Sequence, residues 1–96
     1  MEDVSTTRSC ESLKKANAKL DEVLNTYNSY LTFKDSTTLS WSHKCWLKYA
    51  ELEAQIASSG FGSESMQTLM SNLRMIEVIE TRIADIEKQS NLLGIK

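Results

Sequence analysis

The chain has 96 residues, with 11 basic and 13 acidic side chains, a net charge of −2, two cysteines and no proline. This length predicts one domain over residues 1–96. The balanced charge argues against nucleic-acid binding by a monomer, because contacts with phosphates usually need a basic surface. No apolar run approaches the roughly 20 residues that cross a bilayer, so no membrane contact is expected.

The cysteines and the first residues bear on the compartment. The N-terminal segment MEDVSTTRSC has acidic side chains where a signal peptide has basic ones, and it lacks an apolar stretch. Cys10 and Cys45 are far apart and form no CxxC pattern, which favours reduced thiols in a chain without an export signal. We therefore expect an intracellular, cytoplasmic protein.

The first predicted helix spans about residues 9–34, with Ser9 as its N-cap. Apolar residues recur along it at spacings of three and four, which is typical of a helix with one buried face. These residues are Leu13, Ala16, Leu20, Val23, Tyr27 and Tyr30. The next four residues, 35–38, are Asp, Ser, Thr and Thr, which favour turns and predict a short connection.

The second predicted helix spans about residues 39–59 and is capped by Thr38 or Ser40. Gly60 is expected to end it in the left-handed conformation of a Schellman motif, with Phe61 folding back onto Ile56.

Two sides of this second helix are apolar. One side is predicted to be core rather than a base-stacking surface, and it comprises Trp41, Cys45, Tyr49, Leu52 and Ile56. The opposite strip faces either another helix of the same chain or a partner, and it comprises His43, Leu47, Ala50 and Ala54. The favoured interpretation places this helix in the middle of the bundle. Trp46 belongs to neither side, so it is either a core-edge residue or a partner contact.

The third predicted helix spans about residues 63–92, and its apolar stripe includes Ile79, Ile83 and Ile86. Because this helix is longer than the second, these three isoleucines are expected to extend beyond its cover. Either the first helix or a second chain must then bury them. Met75 lies off the stripe and is a further candidate for a partner contact.

Residues for catalysis or metal binding do not form a recognisable pattern. The chain has three Cys and His residues in total, whereas a closed zinc site needs about four such ligands. His43 and Cys45 fall on opposite sides of a continuous helix, which argues against a nucleophile–base pair. We predict no catalytic residue, no metal site and no cofactor, and therefore a protein that is not an enzyme.

The segment from Trp46 to Gly94 resembles the small terminase subunits of tailed phages. In both, an aromatic-rich helix reaches a glycine, here Gly60, and a later helix closes on a Leu-Gly-hydrophobic end, here residues 93–95. The family's proline-bearing segment and its preceding helix-turn-helix have no counterpart here. The resemblance implies a ring-forming DNA-packaging factor and transfers no functional residue.

Together these patterns predict an all-α, three-helix, up-down-up fold with coiled-coil-like packing. The function expected first is a non-enzymatic interaction module, such as an assembly component, adaptor or small inhibitor, that forms homo-oligomers or binds another protein. The alternative is the nucleic-acid accessory role. The predicted partner-binding residues are Trp46, Met75, Ile79, Ile83 and Ile86.

Overall fold

The structure is a computed structural model that describes residues 4–94. It contains three helices, α1 (Val4–Asn28), α2 (Phe33–Ser58) and α3 (Glu64–Leu92), and no strand among the described residues. The predicted all-α class is therefore confirmed. Ile95, which forms part of the phage-family resemblance, lies outside the described residues.

The helices run up, down and up along a rod of 47 × 21 × 18 Å. α1 and α3 point the same way, because near their N-terminal ends the Thr6 hydroxyl donates to the Ser65 carbonyl at 3.4 Å. α2 points the opposite way, because Glu53 near its C-terminal end pairs with Arg74, in the N-terminal half of α3.

The middle helix is α3, not α2. α1 and α2 each pack along α3, whereas they make few contacts with each other. The prediction that α2 lies in the middle is therefore wrong. The reason is that α3 offers two apolar sides, with Ile79 and Ile83 towards α1 and Val78 towards α2.

α1 begins earlier than predicted, because Ser9 is not a cap. Its hydroxyl donates to the Thr6 carbonyl at 2.7 Å, one turn back inside the helix. The same hydroxyl accepts a hydrogen bond from Asn72 of α3 at 3.0 Å, and Ser9 is buried. Because these two hydrogen bonds satisfy its hydroxyl, the serine can be buried in the interior of the helix.

The connection between α1 and α2 falls at residues 29–32, before the predicted turn at 35–38. Thr32 is extended and caps α2, and its hydroxyl accepts from the Asp35 backbone N–H at 3.2 Å. Asp35 then lies in the first turn, where the helix dipole favours its charge. Thr37 and Thr38 donate to carbonyls one turn earlier. Neither Thr38 nor Ser40 is a cap.

Gly60 does not form the predicted Schellman motif. The C-cap of α2 is Ser59, in right-handed conformation, and Gly94 is the one glycine of three with positive φ, at 78°. The left-handed turn therefore follows α3 instead of α2. Ser63 caps α3 as its side chain accepts from the Met66 N–H at 3.1 Å, close to the predicted start of this helix.

The main core lies between α1 and α3. Its fully buried members are Leu20, Ile79, Ile83 and Ile86. The stripe predicted for the first helix packs against them from Leu13 to Tyr27, together with Trp46 and Met75. Tyr30, the last residue predicted for this stripe, lies beyond the end of α1 and is 62% exposed, so the prediction is wrong there. Of the two alternatives for the isoleucines, burial by α1 is therefore the one observed.

Candidate docking face on helix α2

One side of α2 leaves five consecutive apolar-stripe positions in solvent. Trp41 is 66% exposed, Tyr49 50%, Leu52 44% and Ile56 68%, and the Cys45 thiol is exposed as well. We call these five residues the outer face of α2. The prediction that they form core is wrong, because the opposite side of the helix is the one that packs on α3.

Small side chains explain which side of α2 is buried. Ala50 is 1% exposed and Ala54 5% exposed, and these two are the fully buried residues of the helix. Residues four apart lie on one face, and alanines there allow the two helix backbones to approach closely. A face carrying two aromatic rings would hold the helices farther apart, so burial of the alanine face leaves the larger side chains outside.

An ion pair and a cation–π contact join α2 to α3 close to these alanines. The Arg74 guanidinium donates to the Glu53 carboxylate, and this pair is partly buried. The hydrogen bond to Glu53 is the main cause that raises the pKa of Arg74 above its ordinary value. Towards the other end of α3, the Arg82 guanidinium lies over the Trp46 ring at 5.9 Å.

Trp46 forms a stacked cluster rather than part of the outer face. Its ring lies 5.5 Å from that of His43, with an angle of 15° between the planes. Within the described residues, His43 Nδ1 and the Nε and Nη2 atoms of Arg82 are buried without a hydrogen-bond partner. Burial lowers the pKa of His43, the charge of Arg82 lowers it further, and Asp21 acts in the opposite direction. The imidazole is therefore kept neutral near neutral pH.

Charged side chains border the outer face along one edge. The Lys44 ammonium lies 5.1 Å from the centre of the Trp41 ring, a cation–π contact that orients the indole at the end of the face. Lys48 and Glu51 form an exposed i,i+3 pair with 3.6 Å between Nζ and Oε2. An apolar strip with a polar rim is the arrangement found at protein–protein interfaces.

The structure separates the predicted partner residues from this surface. Ile79, Ile83 and Ile86 are buried under α1, so no partner reaches them while α1 stays in place. Trp46 and Met75 are half-buried and pack against the same core. The predicted contact of these five residues with a partner stays a prediction.

Grooves between the helices are lined by mixed polar and apolar side chains. One groove lies between α1 and α2 beside their connection, has a volume of about 440 Å³, and is lined by Asp21, Asn28 and His43 among others. A smaller one of about 220 Å³ lies beside Trp46 and Arg82. Over residues 4–94, no three His, Cys, Asp or Glu side chains come close enough together to hold a metal ion.

Comparisons with known proteins give no match from which a function could be inferred. No family model, curated protein or solved structure matches the chain. Within the described part of the chain, none of the three helices is both long and apolar enough to span a membrane.

The sequence does contain a signal for which side of α2 is buried and which side is exposed. The sequence shows two apolar sides on the second helix, and the alanines four apart mark the side that allows close packing. The deciding signal is small side-chain size, which periodicity does not register, since Ala50 and Ala54 contribute less to the apolar pattern of the helix than two aromatic rings do.

Proposed function

We propose that this chain is a small, non-enzymatic helical module of the cell interior that acts by holding another protein chain against the outer face of α2. Such a module would serve as an assembly component, an adaptor or a small inhibitor. The observation that carries the proposal is the apolar face that the fold leaves uncovered.

The area of this face supports a binding role. An aromatic side chain presents roughly 150–250 Å² when fully exposed, so the exposed parts of the five residues amount to on the order of 500 Å². The largest apolar patch on an ordinary monomer is about 300–600 Å² and often functional. The area of the outer face thus falls in the range of apolar patches that are often binding sites.

The expected affinity is moderate. Burying this area would contribute on the order of 10 kcal/mol, and association itself costs about 4–15 kcal/mol. A reversible complex follows, in which Trp41 and Tyr49 are the anchor residues, because aromatic rings dominate interface energetics.

The test compares two leucine- or isoleucine-to-lysine variants in an extract of the source cell. Ile56→Lys places a charge on the outer face, and Leu92→Lys places one on a similarly exposed apolar residue of α3, 72% exposed, which is not part of that face. We expect the tagged wild-type chain and Leu92→Lys to elute in a gel-filtration fraction larger than the monomer. Ile56→Lys should elute as a monomer with unchanged helical circular dichroism.

Elution of all three chains as monomers in the extract would refute the proposal. The nucleic-acid alternative stays a prediction, and DNA binding that weakens steeply with salt would favour it instead.

A further inference from the structure

We propose that the occupant of the outer face is a second copy of this chain, with the two α2 helices packed antiparallel about a two-fold axis close to Tyr49. This inference rests on the proposed function and specifies the partner. It is carried by three properties of the face: its symmetry, its charged edge and its area.

The outer face is symmetric along its length. About a point between Lys48 and Tyr49, the position of Trp41 corresponds to that of Ile56, and the position of Cys45 corresponds to that of Leu52. An antiparallel copy therefore places a large ring against an aliphatic side chain at each end of the contact. A two-fold interface requires this self-complementarity, because each residue meets its counterpart twice.

The charged edge is complementary to itself in the same orientation. Lys44 and Lys48 occupy the half of this edge nearer the N-terminus of α2, and Glu51 lies on the same edge in the other half. When two such edges meet head to tail, the Lys48 ammonium of each copy comes within side-chain reach of the Glu51 carboxylate of the other. Lys48 and Glu51 pair with each other within the helix, but their side chains are 67% and 60% exposed, so each is able to exchange this exposed partner for the side chain of the other copy.

A parallel pair would lose this match. It brings the lysine edge of one copy against the opposite edge of the other, whose acidic residue, Glu53, is already held by Arg74. It would also place Cys45 opposite Cys45 of the other copy. The antiparallel pair separates these two thiols by about two helical turns, since each lies about one turn from the axis.

The area agrees with a reversible dimer. A stable interface of ordinary size covers about 800 Å² on each partner. The five apolar side chains supply over half of this area. The aliphatic stems of the bordering lysines would add to it.

The first experiment measures molar mass by sedimentation or light scattering over a wide dilution series of the purified chain. We expect a mass of twice 10.9 kDa at high concentration that falls to the monomer on dilution. Ile56→Lys should be monomeric throughout, and Leu92→Lys should dimerise as the wild type does.

Charge exchange tests the edge. Lys48→Glu and Glu51→Lys should each weaken dimerisation about tenfold, because two attractive pairs become repulsive in every dimer. The double variant, which exchanges the two charges, should restore most of the loss. Single variants without effect on the dimer would overturn the proposed register.

Cross-linking tests the orientation. With Cys10→Ser in the background, Cys45 alone should form little intermolecular disulfide under mild oxidation, whereas Cys45 together with Leu52→Cys should cross-link rapidly. Rapid cross-linking through Cys45 alone would show a parallel pair and overturn the antiparallel one.

A monomer at every concentration, or a larger closed oligomer, would overturn the two-fold dimer. The outcome separates the two proposals. A purified monomer that still enters a larger complex in the source extract, and loses it on Ile56→Lys, would refute the dimer and leave the docking function standing.

Discussion

The bundle has two interfaces between helices, which we call the α1–α3 seam and the α2–α3 seam, and they are built in opposite ways. Between α1 and α3, the large aliphatic side chains point inward, and Ile79 is 1% exposed. Between α2 and α3, the buried side chains of α2 are two alanines, Trp46 packs at the edge of the core, and the large side chains of the outer face stay exposed. The contrast teaches that an apolar stripe on a helix predicts burial only when a neighbouring helix covers that stripe.

The size of the buried side chains sets how much each seam contributes to stability. Large aliphatic residues remove more apolar area from water than alanines do. The α1–α3 seam therefore supplies most of the hydrophobic stabilisation, and the α2–α3 seam relies on close backbone approach and on the Arg74–Glu53 pair. Changes at the two seams should accordingly destabilise the protein in different ways.

The largest effect is expected in the α1–α3 seam. Ile79→Ala should lower the free energy of unfolding by about 2–5 kcal/mol, because it removes a fully buried side chain and leaves a cavity. Ile56→Ala, on the outer face, is the matched control and should change the stability of the monomer by less than about 0.5 kcal/mol. Urea unfolding at low protein concentration measures both. Equal losses for the two variants would contradict the contrast between the seams.

A smaller effect is expected in the α2–α3 seam, where the destabilisation comes from adding atoms and not from removing them. Ala50→Leu should cost about 1–3 kcal/mol, because the added carbons do not fit between closely packed helices. Ala18 is exposed on α1, so Ala18→Leu is the control and should be near neutral. If Ala50→Leu stabilised the protein, α2 would pack on α3 less closely than the structure indicates.

The difference between the seams also explains how far the sequence could predict the fold. The stripe of α1 has one dominant apolar side and the isoleucines of α3 recur at helical spacing, so the helical period located both helices, and α3 ends at Leu92, close to its predicted end. α2 has two apolar sides, and periodicity alone does not decide between them. The deciding factor is how closely two backbones approach, which is a tertiary property.

The wrong helix ends have a local physical cause. The spacing of Thr32 and Asp35 is that of a threonine N-cap followed three residues later by an acid, a recognised signal for the start of a helix. Because the apolar spacing of the first helix continues through Tyr30, it predicts that the helix extends past Thr32, and this N-cap signal does not enter that prediction. At Gly60, a glycine followed by Phe61, which was expected to contact Ile56, suggested a left-handed turn, yet the C-cap of α2 is right-handed.

The smallest predicted effect concerns the cluster where α2 meets α3. The pKa of His43 is lowered in the folded protein by burial and by Arg82, whereas in the unfolded chain it stays near 6.5. As the pH falls through that value, the unfolded chain takes up a proton first, so the free energy of unfolding decreases. The decrease stops once the pH is below the folded-state pKa.

Replacement of the imidazole should remove this component. We expect the unfolding free energy of His43→Gln to decline less than that of the wild type between about pH 7.5 and 5.5, a range that brackets the ordinary histidine pKa. Urea unfolding across this range measures the difference, and titration of the carboxylates is common to both proteins. Parallel pH profiles would mean that the imidazole gains its proton equally well in both states. The ring would then be open to water, and the α2–α3 seam would be looser around Trp46 than its stacked geometry indicates.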